Sequence, residues 1–459
     1  MLEAFDAEVV RAVFATNRFD FSKHVRARRM PPDCLRMLLV AKVVNPSMNN
    51  KGDFLRSVVS QVTDRLLEAA PTDGTEEQRL QYVHNLCDAA AHHFSPAHVG
   101  KALEMLPKMD EGCYEPAEDL VSAAAAVGDI AKMRDLISES FLLHMESKIF
   151  GYASANAARI GNQEMLAMIL ECDIKDTVQE SRNGSVSASL SAACGAGQRH
   201  IVEYMLALPS DGDLQDKRYE HAFEAAAGSG YGDILMLLLN KIPAAARQKV
   251  MFDSLHKACA NGHVQTVEFL LDSGADMNLF ADHGGPLHCA SLFGHTRVVR
   301  LLLDRGAMYY KSMIGDPLYF AAINGHTQVA QMLLDSGASI HAKGYWSVLA
   351  RAAMNGEAAM VRFLLENGID VKDHGNGNIA LEKAAERGQE EVVKILLAQG
   401  IDIDGGNEDR DPPVLRAMIY GHQYMVKVLL KHGAKDIDPL ETDHAEHFRN
   451  GRYPPCGKM

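Results

Sequence analysis

Histidine is the side chain best suited to proton or metal chemistry near neutral pH, and 20 of the 459 residues are histidine. Four of them, His263, His295, His326 and His422, each directly follow a glycine and form a series along the chain. A metal ladder would need ring nitrogens about 2 Å from a shared ion. Packed helical units hold equivalent residues about 10 Å apart, so each ring is read as bonding nearby backbone and stabilising a turn. His288 takes the same reading. His444 and His447, with Asp443, Glu446 and Cys456, contain an i, i+3 pair that can share a helix face. The remaining ligands would have to come from the terminal tail, so no metal site is expected there, nor at His92 and His93.

Other chemistry leaves no sequence trace. The eight cysteines are scattered, with no Cys-x-x-Cys pair, which fits reduced thiols better than a disulfide framework. Cys259 and Cys289 are expected to be small buried hydrophobes. There is no Gly-x-Ser-x-Gly, phosphate loop, His-Glu-x-x-His or dinucleotide-binding glycine turn. No catalytic residue, cofactor, metal or small-molecule substrate is expected.

What must position any functional residue is a repeat. Glycines stand at 128, 161, 197, 230, 262, 294, 325, 356, 388 and 421, spaced by 31 to 36 residues. Four residues before each is an alanine, from Ala124 and Ala157 to Ala384 and Ala417. Nine residues after each is leucine or isoleucine, preceded by a further apolar residue. The spacing predicts a helix, a glycine turn and a second helix per unit, with the alanine allowing close approach. The paired leucines, with Val267, Val299, Val361, Val393 and Val426 before them, form the apolar stripe of the second helix. In the last six units a further glycine, at 274, 306, 337, 368, 400 or 433, stands where that helix needs a left-handed cap. Ser140, Asp173, Pro209 and Ile242 replace it in the first four. No unit buries its own stripe, so stability must come from stacking.

These units resemble ankyrin repeats, most clearly GGPLHCASLFGHTRVVRLLLDRGA at 284–307 and GDPLYFAAINGHTQVAQMLLDSGA at 315–338. Gly285 and Asp316 stand where that pattern has threonine before proline. The resemblance implies an all-α solenoid of stacked helix-turn-helix units with hairpin-like loops. The expected organisation is a helical N-terminal cap at 1–85, a degenerate repeat at 86–117, divergent repeats at 118–250, well-formed repeats at 251–436 and a tail at 437–459. Within the cap, helices are expected at about 2–16 and at 53–69, the latter with Leu55, Val58, Val59, Val62 and Leu66 on one side.

The resemblance also implies a concave binding groove lined by the two residues before each turn glycine and by the loop tips. Carried over by position, its apolar members are Leu292, Phe293, Ile323, Met354, Ile419 and Tyr420, with the tips Phe280, His283, Tyr309, Tyr310, Tyr345 and Trp346. Aromatic and large apolar side chains at exposed positions carry much of the binding energy at interfaces.

Composition sets the outer bounds. Apolar residues make up 47% and charged residues 23%, enough to offset chain entropy on folding. No run approaches a membrane span, and the acidic start at Met1 has no secretory leader character. A net charge of −14 argues against broad affinity for nucleic acid, and it predicts an acidic groove favouring basic and apolar partners. The expected function is a non-enzymatic scaffold or adaptor binding a protein partner, in the cytoplasm, the nucleus or both. The alternative is a nuclear co-regulator holding a transcription factor, for which only the basic cluster Lys23, Arg26, Arg28 and Arg29 speaks.

Overall fold

The computed structural model describes residues 54–67, 76–93, 117–139, 146–147, 149–176, 179–208, 215–279, 284–308, 315–340, 347–372, 376–405, 411–439 and 442. Among them lie twenty-two helices and no strand, with one isolated bridge between Ser147 and Gly151. The expected helix at 2–16, the basic cluster at 23–29, the second half of the degenerate repeat and the tail histidines fall outside the described residues. None of the described helices is long and apolar enough to cross a membrane. The chain divides into two compact units, Met1–Ala226 with Asp233–Pro243, and Ala227–Gly232 with Ala244–Met459.

The first unit begins with α1 (Phe54–Leu67) and α2 (Glu76–His93), which pack together. The α1 stripe Val58, Val59, Val62 and Leu66 is buried, as its spacing predicts. Helix pairs follow: α3 (Ala117–Val127) with α4 (Ile130–Glu139), α5 (Ala153–Ile160) with α6 (Gln163–Asp176), and α7 (Gln179–Gly195) with α8 (Arg199–Ala207). Then come α9 (Gln215–Ser229), which crosses the division, and α10 (Gly232–Leu239). First helices pack on first helices here through buried polar groups. The Ser154 and Ser185 hydroxyls are 2.6 Å apart, Ser122 Oγ donates to the Gly151 carbonyl at 2.7 Å, and Asn156 Nδ2 donates to the Ser122 and Phe150 carbonyls. At Ser154 a hydrogen-bonded hydroxyl thus stands where Leu255, Leu287, Leu318, Leu349 and Leu381 stand in the later repeats, which weakens the pattern in this part of the sequence.

The second unit opens with α11 (Ala244–Asn261) and α12 (Val264–Asp272). The pairs after it are α13 (Pro286–Phe293) and α14 (Thr296–Asp304), then α15 (Pro317–Ile323) and α16 (Thr327–Asp335), then α17 (Val348–Asn355) and α18 (Ala358–Glu366). The last two are α19 (Asn376–Glu386) with α20 (Glu390–Leu397) and α21 (Pro413–Ile419) with α22 (Gln423–Lys431). Each first helix packs on the first helix of the next pair, and second helices do likewise from α12 to α20.

The repeat positions explain this geometry. All ten turn glycines have φ between +69° and +88°. The alanine four residues earlier is fully buried in every unit. Its carbonyl also accepts the N–H of the residue after the glycine in nine units, at 2.9 to 3.1 Å, closing the helix end. The capping glycines at 274, 306, 337, 368, 400 and 433 are left-handed as well. The leucine pairs, expected to act as one stripe, divide in the second unit. Its first members, Leu270, Leu302, Leu333, Leu364, Leu396 and Leu429, are fully buried, whereas the second members are half-buried.

N-caps show how departures from the pattern are absorbed. Asp316 Oδ1 accepts the Tyr319 N–H at 2.8 Å, and Ser347 Oγ accepts that of Ala350 at 3.1 Å. Gly285 has no side chain to cap α13. There the His288 ring reaches back instead, Nδ1 accepting the Gly285 N–H at 3.1 Å.

Candidate partner-binding surface

The residues just before each turn glycine lie on first helices that touch their neighbours, so equivalent positions fall in register. Leu292 and Phe293 on α13, Ile323 on α15 and Met354 on α17 are each half-buried. Tyr420, after α21, is 46% exposed. Ile419 departs from expectation: it is 7% exposed, packed into the last first helix together with Val414, Leu415 and Met418 rather than offered to a partner. Phe280, His283, Tyr309, Tyr310, Tyr345 and Trp346 fall outside the described residues.

The register is fixed by a hydrogen-bond pattern that sequence reasoning missed. Asn261 Nδ2 donates to the Gly228 carbonyl at 2.5 Å, Asn324 Nδ2 to Leu292 at 2.5 Å, and Asn355 Nδ2 to Ile323 at 2.6 Å. In each case the residue before one turn glycine bonds the carbonyl two before the preceding turn glycine. The post-glycine histidines reach the same carbonyl position. His263 Nε2 lies 3.0 Å from the Gly228 oxygen, His295 Nε2 2.8 Å from Ala260 and His326 Nε2 3.1 Å from Leu292. A carbonyl only accepts, so Nε2 carries the proton in each ring. Gln198 Nε2 plays this part in the first unit, donating to the Arg159 carbonyl at 3.1 Å. The histidines are therefore structural, as their spacing suggested, but they tie repeat to repeat rather than close their own turn. The signal was present as asparagine before the glycine, at 261, 324 and 355.

Glycine makes room for this contact. A β-carbon on Gly294 would sit 2.5 Å from His326 Nδ1, and the residue's φ of +75° independently disfavours a side chain.

Among the described residues, the first helices do not carry the expected acidity. First helices α13 to α21 carry Arg351, Lys383 and Arg416 against Glu382 and Glu386, a balance of one positive charge. Net charge is a whole-chain sum, and in these repeats acidic residues are more numerous on the second helices, Glu268 and Asp272 on α12 and Glu390 and Glu391 on α20 among them. Arg351 stacks over Tyr319 with its carbon 5.5 Å from the ring centroid, and its Nε donates to the Tyr319 oxygen at 2.8 Å. Lys383 Nζ lies 2.7 Å from Glu386 and 3.6 Å from Glu382, whose carboxylate is 3.4 Å from Arg416 Nε. Both glutamates are 5% exposed.

Cys87, Cys194 and Cys259 are buried and Cys289 is half-buried. Burial pushes the Cys87, Cys194 and Cys289 thiols up to about 12 and Cys259 well above its ordinary value. These groups stay protonated at neutral pH, as small core residues do.

A family model described as ankyrin repeats in three copies matches residues 189–281, 223–313, 255–344, 318–407 and 349–443. Together these spans cover 189–443, more than half of the 459-residue chain. Among solved structures, the crystal structure of the human ASB11 ankyrin repeat domain is similar, at 27% identity over 39% of this chain and 84% of that one, with a TM-score of 0.36. Comparison with curated proteins gives no match. With the family model spanning the same turn glycines, buried alanines and leucine pairs that build the stack, the chain belongs to the ankyrin repeat family, a protein–protein interaction module.

Proposed function

We propose that this chain is a non-enzymatic scaffold or adaptor that binds a protein partner along the first helices of the repeats with turn glycines 262 to 356. One observation supports the reading above others. Leu292, Phe293, Ile323 and Met354 stand in register on neighbouring helices, half-exposed, on a backbone tied together by the Asn324 and Asn355 bonds. Apolar side chains on a surface ordered before binding lose little entropy on association. Loop-tip aromatics, Trp346 foremost, extend the same surface in this proposal. No observation favours the nuclear alternative, whose basic cluster lies outside the described residues.

Affinity purification with mass spectrometry tests this on the full chain, comparing wild type with a Phe293→Ala/Trp346→Ala variant. The specific partner is expected to disappear while the melting temperature moves by no more than about 4 °C, equivalent to about 1 kcal/mol. Retention of every partner by the folded variant would remove the groove assignment.

A further inference from the structure

The outer face carries a second surface. Second helices α12, α14 and α16 of three successive repeats enclose an open cleft of ≈ 360 Å³, floored by Val264 and Leu301 and edged by Arg297, Arg300, Asp304 and Gln328. Both arginines are exposed.

Two arginines elsewhere on the second helices are matched across repeats in one register. The sixth residue after one turn glycine meets the third after the next: Arg134 with Glu164 at 2.6 Å, and Arg362 with Glu391 at 2.5 Å. The same register places Gln328 opposite Arg300, so this arginine meets no carboxylate. It places Glu268 opposite Arg297, but Glu268 lies 3.5 Å from Arg305, which also pairs with Asp272 at 2.8 Å. Among the described residues, neither Arg297 nor Arg300 makes an ion pair or hydrogen bond, Asp304 included. Two like charges at i, i+3 on one helix also oppose its stability.

We propose that this cleft docks an acidic, apolar peptide segment of a protein partner, with Arg297 and Arg300 holding its carboxylates and Val264 and Leu301 receiving its apolar side chain. Guanidinium groups match carboxylates in a two-pronged geometry that a lysine would not supply. In a chain of net charge −14, a cleft whose two arginines exceed its one carboxylate, Asp304, also selects acidic segments against the background of the surface. This surface lies on second helices and does not depend on the groove assigned to first helices.

Fluorescence anisotropy on the full chain tests it, with a short fluorescein-labelled peptide of alternating glutamate and leucine as probe. Saturable binding that weakens at least about tenfold in Arg297→Glu/Arg300→Glu supports the proposal, tenfold being the scale of one charge-assisted hydrogen bond. The control Lys427→Glu/Lys431→Glu makes the same charge change on α22 and should bind as wild type does. Arg297→Gln/Arg300→Gln serves if the charge-reversed variant fails to fold, and is expected to weaken binding in the same direction. Absence of saturation in wild type overturns the proposal. So does equal loss in the α22 control, undiminished binding by the folded cleft variants, or equal binding of a glutamine–leucine peptide. Tighter association with phosphatidylserine vesicles than with the peptide would also overturn it, in favour of a lipid surface.

Discussion

At the scale of single residues, the Leu292 carbonyl is shared between two donors, Asn324 Nδ2 and His326 Nε2. Removing either leaves the acceptor satisfied, whereas removing both strands a helix-end carbonyl against the next repeat. Asn324→Ala and His326→Ala should therefore each cost about 1 kcal/mol or less. The double variant should exceed their sum by about 1 kcal/mol or more, read from urea denaturation as a double-mutant cycle. Simple additivity would mean that the two bonds are independent. A different expectation attaches to the thiols. For Cys289 the folded value of about 12 stands above the ordinary 9.0, so the folded chain holds a proton that the unfolded chain releases. Its contribution to stability is complete below pH 9 and declines as pH rises towards 12. At pH 8, iodoacetamide should leave Cys87, Cys194, Cys259 and Cys289 unmodified in the native chain and modify all four in urea. Mass mapping of alkylated peptides makes the comparison.

Among the elements, α19 concentrates three charges where its neighbours α17 and α21 carry one arginine each. Glu382 and Glu386 are buried beside Lys383, while Arg416 of α21 approaches Glu382 without an aligned hydrogen bond. Removing one member of a buried charge cluster leaves its partners uncompensated, at a cost of about 3–5 kcal/mol. Lys383→Met should accordingly lower the urea midpoint with an unchanged slope, and adding Glu386→Gln should restore part of the loss. No recovery in the double variant would show that Lys383 acts through packing alone. This cluster also marks where sequence reading reached its limit. A period of 31 to 36 residues revealed every turn, because glycine and alanine are demanded at those points by backbone conformation and close approach. Position along a first helix did not reveal what covers it. Ile419 occupies the same register as Leu292 and Ile323 yet is buried, and Glu386 occupies it as a buried anion. Those differences depend on the neighbouring helix, not on the residue's own place in the pattern. The Gly285 cap was hidden for a similar reason, since the donor and acceptor are exchanged with the His288 ring three residues on.

For the molecule as a whole, stability is distributed along the chain, because helices meet chiefly the helices of adjacent repeats. Leu302 illustrates the consequence. Its side chain is fully buried on α14, which touches α13 within its own repeat and α12 and α16 on either side. Leu302→Ala should cost about 2–5 kcal/mol by lost burial and the cavity left behind. In a single cooperative core that loss would be felt everywhere at once. In a chain of nearest-neighbour contacts it falls first on the repeat concerned and on those beside it. Native-state hydrogen exchange distinguishes the two cases. Amides of 264–272, 296–304 and 327–335 should exchange faster in Leu302→Ala, with opening free energies reduced most at 296–304. Amides of 163–176, four repeats earlier in the chain, should keep wild-type protection. Uniform acceleration in both segments would show that the repeats unfold as one body, and the additive account of their stability would then fail.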